Sequence, residues 1–229
     1  MRGIGVGRPG ACDTGDVLDT PGLRPPRQQR SQRTLERILD AGSEVFARRG
    51  YEGLTIAEVC RVAETSAGAV YTRFEGKDAL VRAVHDHAMA DMLTEVDALY
   101  ADGQDWRALP TSAFIEQAVR RLVSHVRERA AIVRAIVLRS AADPLMRASG
   151  AQSIGKMADA FTRRVLDRAA DFPHPDPEAA VRAVFGMAFE AISWDVAFGG
   201  EFREAGALGP PPDDRLPAVC RLVLLTPPD

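Results

Sequence analysis

The sequence predicts an all-α chain, with a small N-terminal three-helix unit followed by a larger helical domain. Three observations carry that expectation. From Ser31 onward, apolar residues recur at spacings of three and four, the period of a helix with one buried face. Helix start and stop signals punctuate the pattern: Thr55 with Glu58, Ser66, Gly50, Gly76 and the prolines 173, 175 and 177. No stretch alternates apolar and polar residues as a half-buried strand does.

The elements follow in order. Residues 1–26 are rich in Gly, Pro and Asp, lack periodicity, and read as a disordered arm. In the first helix Leu35, Ile38, Leu39, Gly42, Val45 and Phe46 share a face, and Gly50 ends it after Arg48 and Arg49. Thr55 and Glu58 form a capping box for a short second helix carrying Ile56, Val59, Cys60 and Val62. Glu64 and Thr65 turn the chain, and Ser66 caps a third helix with Val70, Tyr71 and Phe74. Gly76 breaks it. A long fourth helix runs from Lys77 through Leu80, Val84, Met92 and Val96 to Leu99. Beyond it, helices are expected at 111–129, 130–141, 144–171 (loosened near Ser149 and Gly150), 177–198 and 214–225, with a Gly/Pro loop at 199–212. The domains are then the arm 1–26, a unit 27–76 and a helical domain 77–229.

Composition bounds the function. The 229 residues are 46% hydrophobic and 27% charged, with a formal charge of −3, ordinary values for a chain with a sizeable core. No run of about 18 apolar residues and no apolar leader appears, so no membrane partner and a cytoplasmic location are expected. Cys12, Cys60 and Cys220 are far apart, without metal or redox spacing. His85 and His87 lie two apart on a helix, on diverging faces, and His125 and His174 stand alone. Ser140 and Asp143 near His125 lack a nucleophile elbow, and no phosphate-binding loop is present. No metal, cofactor or enzymatic activity is expected.

Residues 31–75 thus have helix-turn-helix grammar: a support helix, a second that crosses a nucleic-acid backbone, and a third that enters the major groove. The stretch TSAGAVYTRF (65–74) fits this. Ala67, Gly68 and Ala69 let a bulky partner approach the helix N-terminus, whose free N–H groups attract phosphate. Ser66 caps the helix or donates to phosphate. Tyr71 reads as a phosphate-reaching hydroxyl or as a half-buried aromatic. Thr72 reaches base edges; Arg73 takes a phosphate or a guanine edge, or is only solvated. Thr55 caps and touches phosphate, and Lys77 suits phosphate as a point charge. Between Arg24 and Arg49 seven arginines face three acids. Arg30 and Arg33, with Arg24 and Arg27, read as phosphate contacts or as a tail with no role. The scarcity of lysine (only Lys77 and Lys156) reflects a general arginine bias.

The stretch ILDAGSEVFARRGYEGLTIAEVCRVAETSAGAVYTRFEGKDAL resembles the DNA-binding domain of TetR-family transcriptional regulators. Its Phe46, Gly50-Tyr51, Thr55, Gly68, Tyr71, Phe74, Lys77 and Leu80 fall in register with the family pattern. Two positions depart from it. Glu64 stands where the family usually has glycine, at an expected cost of about 1 kcal/mol if φ is positive there, and Ala67 stands where a donor is common. The resemblance implies a homodimeric, ligand-responsive regulator, a repressor that releases a palindromic double-stranded DNA operator when a small-molecule effector binds the larger domain. Met92, Phe114, Ile136 and Phe161 are candidate lining residues, or plain core. Val181, Phe185, Ala188, Ile192 and Val196, with Leu216, Val219 and Val223, are expected to pair with their copies in a four-helix interface. An all-helical enzyme and a regulator answering to a protein partner are the rival readings.

Overall fold

The computed structural model describes residues 21–22, 29–100, 106–209 and 211–228. Most of the arm, including Arg24 and Arg27, lies outside these residues, as does the side chain of Arg30. Among the described residues every regular element is a helix. Helix α1 spans Gln29–Gly53, α2 Ile56–Val62, α3 Ala67–Tyr71, α4 Lys77–Leu99, α5 Thr111–Glu128, α6 Ala130–Ser140, α7 Pro144–Val165, α8 Pro177–Glu204 and α9 Pro212–Leu225. Short 3-10 turns occupy Trp106–Ala108 and Leu166–Asp171.

Leu35, Ile38, Leu39, Val45 and Phe46 bury the apolar face of α1. Gly50, at φ 63°, breaks its path as expected, and one further turn carries Tyr51. The crossing of α1 and α4 depends on Gly42. A Cβ there would lie 2.4 Å from Val84 Cγ2, too close for any side chain. Helix α1 is also contacted by α6, and α4 packs on α7. The three N-terminal helices therefore sit directly on the elements of the larger bundle.

Both short helices are held by their caps. Thr55 Oγ1 accepts from Glu58 N at 3.2 Å, and Ser66 Oγ accepts from Ala69 N at 3.2 Å. The reciprocal half of the capping box is replaced: the Glu58 carboxylate pairs with Arg61 at 2.9 Å and with Arg49 at 3.1 Å. The hydrogen bond from Arg61 outweighs partial desolvation and holds this carboxyl at about 2. Glu64, between α2 and α3, has φ 49°, the one non-glycine residue at positive φ among those described.

Two expected boundaries differ. The helix runs unbroken through Ser149 and Gly150. Helix α8 continues through Gly199 and Gly200 to Glu204, so the loop is shorter than 199–212. Gly199 has a packing role. Its missing side chain leaves room for Asp195 to reach Arg203, since a Cβ there would lie 2.4 Å from Asp195 Oδ1. Asp195 also accepts from Arg127 of α5 at 2.5 Å, and Arg127 Nε donates to Asp213 of α9 at 3.0 Å. This network fastens α5, α8 and α9 together. Burial acts to raise the Asp195 carboxyl, but the hydrogen bonds from Arg203 and Arg127 together hold it below the usual range.

The apolar stripe assigned to a dimer is largely internal. Val181, Phe185, Ala188, Ile192 and Leu216 are all buried in the chain's own core. Phe185 sits 5.7 Å, centroid to centroid, from both Phe161 and Phe189. The most regular stripe of α8 is thus spent on its own bundle, and a second, less regular face stays outside. Val196 is partly buried. Val219 and Val223 are exposed, and so are Trp194, Phe202 and Leu222.

Candidate nucleic-acid interface and internal cavity

Helix α3 is only five residues long, and its surface is built from small and polar groups. Ser66, Ala67, Gly68, Tyr71 and Thr72 are exposed, while Val70 and Phe74 anchor the helix in the core. The absence of a side chain at Gly68 answers no demand of the protein's own packing. A Cβ on Gly68 would meet nothing closer than Ser66 Oγ, at 3.8 Å. Tyr71 is 56% exposed, which removes the reading of a half-buried aromatic closing the domain. Thr55 and Arg33 are exposed on neighbouring helices.

Arg73 departs from the sequence reading. Its guanidinium folds back, donating to Ala69 O at 2.6 Å and to Ser31 Oγ at 2.8 Å, so it ties α3 to the first turn of α1. A guanidinium so engaged braces the helix and is not presented to a base edge. Thr72 Oγ1 donates to Ala69 O at 3.0 Å yet stays exposed. Lys77 is half-buried. Its Nζ lies 4.1 Å from the centroid of the Tyr51 ring and 3.5 Å from Glu52 O.

A cavity of about 390 Å³ lies within the larger bundle, between α4, α6, α7 and α8. Its wall is mostly apolar and includes Met89, Met92, Ile136, Met146 and Phe189. Of the four expected lining residues, Met92 and Ile136 are brought together there. Phe114 and Phe161 are not: Phe114 packs edge-on to Trp106 at 5.4 Å, and Phe161 packs on Tyr100 and Phe185, so both are core. Four polar residues interrupt the wall: His85, Ser140, Arg147 and Ser193. Arg147 is turned to the end of α6, donating to Ser140 O at 2.7 Å and Ala141 O at 2.9 Å.

The sequence reading missed His85. It weighed the residue only as a metal ligand, although His85, Met89 and Met92 share one face at helical spacing. It also missed the contact between the Arg139 guanidinium and the Tyr51 ring, 3.7 Å apart, which joins elements distant in sequence. Among the described residues no group of three His, Cys, Asp or Glu side chains is placed to hold a metal ion, and no helix is long and apolar enough to cross a membrane.

Residues 38–84, from the middle of α1 into α4, match the family model described as bacterial regulatory proteins, tetR family. The A-factor receptor protein of Streptomyces griseus is 38% identical over 60 residues, 26% of this chain and 22% of the relative. The HTH-type transcriptional regulator UidR of Escherichia coli is 33% identical over 57 residues, 25% of this chain and 29% of the relative. The chain thus matches less than a third of the length of either. The fold likeness is longer. A crystal structure from Mesorhizobium loti, described as a TetR-family transcriptional regulator, aligns with a TM-score of 0.66 at 19% identity over 86% of this chain and 96% of that one. The Bacillus subtilis regulator FadR, in complex with stearoyl-CoA, aligns with a TM-score of 0.56 at 14% identity over 82% of this chain and 97% of that one.

Proposed function

We propose that this chain, which belongs to the TetR family of bacterial regulatory proteins, is a homodimeric repressor that binds a palindromic DNA operator and releases it on binding a small molecule. The observation that carries the reading is α3. A helix N-terminus exposing Ser66, Ala67 and Gly68, with no internal reason for the missing side chain at Gly68, suits close approach to a duplex. Tyr71 and Thr72 extend from the same exposed segment. In this reading Thr55, Ser66, Tyr71, Lys77 and Arg33 position the head on phosphates, and Thr72 with the small residues 67–69 meets base edges.

The second copy is suggested by exposed apolar surface. Trp194 and Phe202 are exposed, with Phe198 half-exposed between them, and Trp194 lies 5.2 Å from Phe202 and 5.9 Å from Phe198. On α9, Val219, Leu222 and Val223, at spacings of three and four, are exposed as well. A cluster of this size on two adjacent helices is what a self-complementary interface covers. Two heads held about 34–36 Å apart then match successive major-groove turns.

Release is a population shift. A ligand in the cavity must favour a head spacing other than the one that fits the operator, and its differential affinity supplies the shift. The path is short: α4 carries His85, Met89 and Met92 on the cavity wall and Lys77 at its N-terminal end, beneath the head.

The reading is tested by mobility shift with DNA from immediately upstream of the protein's own gene. A discrete complex whose log affinity falls linearly with log salt is expected. Failure to retain that fragment or any genomic fragment in a selection sinks the proposal.

A further inference from the structure

The cavity wall holds two polar atoms that the protein itself does not satisfy. His85 is fully buried. Its Nδ1 lies 2.8 Å from Asp86 Oδ1, and its Nε2 has no hydrogen-bond partner. Ser193 Oγ, on α8, is likewise buried without a partner. Both residues line the cavity. Leaving a buried polar group unpaired costs about 1–3 kcal/mol, and the structure keeps two in the wall of one mostly apolar cavity.

The proton on His85 Nδ1 is placed by its neighbour. A carboxylate only accepts, so Nδ1 carries the proton shared with Asp86, and in the tautomer this leaves to an uncharged ring Nε2 presents a lone pair. Ser149 Oγ donates to the same Asp86 oxygen at 2.6 Å, which holds the carboxylate in that pose. Gly150 lies beside the ring edge, where a Cβ would stand 3.4 Å from Nε2, in ordinary contact. Nε2 therefore asks for a donor, and the Ser193 hydroxyl can give or accept.

We infer that the cavity takes an uncharged, largely apolar molecule bearing a hydroxyl or amide N–H, anchored through that group to His85 Nε2 and Ser193 Oγ. The rest of the ligand lies against Met89, Met92, Ile136 and Phe189. A carboxylate fits less well. It would meet the lone pair of the uncharged His85 ring unfavourably, and Nη1 of Arg147 is already donating to the carbonyls of Ser140 and Ala141. The inference deepens the effector half of the proposed function and rests on that reading for its biological meaning, but binding itself is independent of DNA.

Calorimetric titration of the full chain with three probes of similar bulk tests it: 4-pentylphenol, its methyl ether 4-pentylanisole, and 4-pentylbenzoate. The phenol is expected to bind at least about fivefold tighter than the ether, the difference expected of one buried acceptor left unpaired. The benzoate should be weaker than the phenol. His85→Phe keeps a ring and removes the acceptor, so phenol and ether should become equal. Ser193→Ala, a milder change, should narrow the gap. If His85→Phe does not fold by circular dichroism, the Ser193→Ala result together with the wild-type preference decides. Equal binding of phenol and ether to the wild type, preference for the benzoate, an undiminished gap in the variants, or no binding of any probe would each overturn the inference. Operator binding is measured on the same preparation. Loss of the DNA complex with the probe preference intact refutes the regulator and spares the cavity chemistry; the reverse result refutes the cavity chemistry alone.

Discussion

The guanidinium of Arg139 lies 3.7 Å from the centroid of the Tyr51 ring. Tyr51 follows the break at Gly50 and its hydroxyl donates to Asp78, at the N-terminal end of α4. That hydrogen bond and partial burial raise the phenol above its ordinary value. Arg139 precedes Ser140 of the cavity wall and reaches Asp78 at 3.3 Å and Asp143 at 3.6 Å. One stacked pair therefore joins the three-helix head to the lip of the cavity. A double-mutant cycle of Tyr51→Leu and Arg139→Met, read by urea unfolding, should give a coupling of about 0.5–2 kcal/mol. Additive losses would mean that the contact transmits nothing.

Glu64 occupies left-handed backbone where its side chain costs about 1–2 kcal/mol, and it adds a negative charge beside α3. Asparagine tolerates that conformation and carries no charge. Glu64→Asn should raise the urea midpoint by an amount equivalent to about 0.5–1 kcal/mol. It should also tighten DNA binding most at low salt. A variant less stable than the wild type would mean that Glu64 has a compensating partner.

His87 is a titration point between α1 and α4. Its Nε2 lies 2.9 Å from Asp40 Oδ1 and 3.7 Å from Asp91 Oδ2, with Glu36 adding to the field. Burial lowers its pKa, but the Asp40 hydrogen bond and the surrounding carboxylates prevail, and the folded value is raised. A raised pKa means that the charged form stabilises the fold. That contribution is complete below the unfolded value of about 6.5 and disappears as pH rises through the folded value. The stability advantage of wild type over His87→Gln, read as melting temperature, should be present at about pH 5.5 and gone by about pH 9. An advantage that grows with pH would contradict the assignment.

The helices and the head were legible because local rules specify them. Thr55 and Ser66 cap as their neighbours demand, and Glu64 takes the positive φ that the family resemblance implied. The errors came where the reading needed tertiary information. Period alone cannot say whether the stripe of Phe185 and Ile192 faces the chain's own bundle or a second copy. Nor can it say that Gly199 continues a helix because an ion pair crosses it. Arg73 looked free because its partner, Ser31, lies 42 residues earlier. His85 was set aside because metal spacing was the question asked of it, and an unpaired Nε2 is visible only once the cavity has walls.

Because Val181, Phe185, Ala188 and Ile192 are buried in the chain's own bundle, other residues of α8 should break a dimer. Trp194→Glu and Phe202→Glu place charge on the exposed ridge and should give folded monomers with weakened operator binding, by sedimentation and circular dichroism. Phe185→Glu places an unpaired carboxylate among Phe161 and Phe189 and should unfold the bundle instead. A dimer that survives both ridge substitutions would locate the second copy elsewhere.

Arg73 separates two ways of contributing to DNA recognition. A side chain reading guanine would, on removal, change the preferred base at one position of each half-site. The observed guanidinium is instead committed to Ala69 O and to Ser31, and its Nε is buried without a partner. It acts as a brace between a five-residue helix and α1. So short a helix has little stability of its own, and loosening it costs affinity whatever sequence lies beneath. Arg73→Ala should therefore weaken binding to all sites alike, with the base preferences in a randomised-site selection unchanged. Arg73→Lys should recover only part of the affinity, because one ammonium cannot replace the guanidinium's separate donors to Ala69 and Ser31. Thr72→Ala is the contrast: exposed and without a long-range partner, it should alter preference more than stability. If Arg73→Ala instead relaxes a single base position while the head stays as stable as the wild type, the guanidinium leaves Ser31 on binding and reads the groove directly.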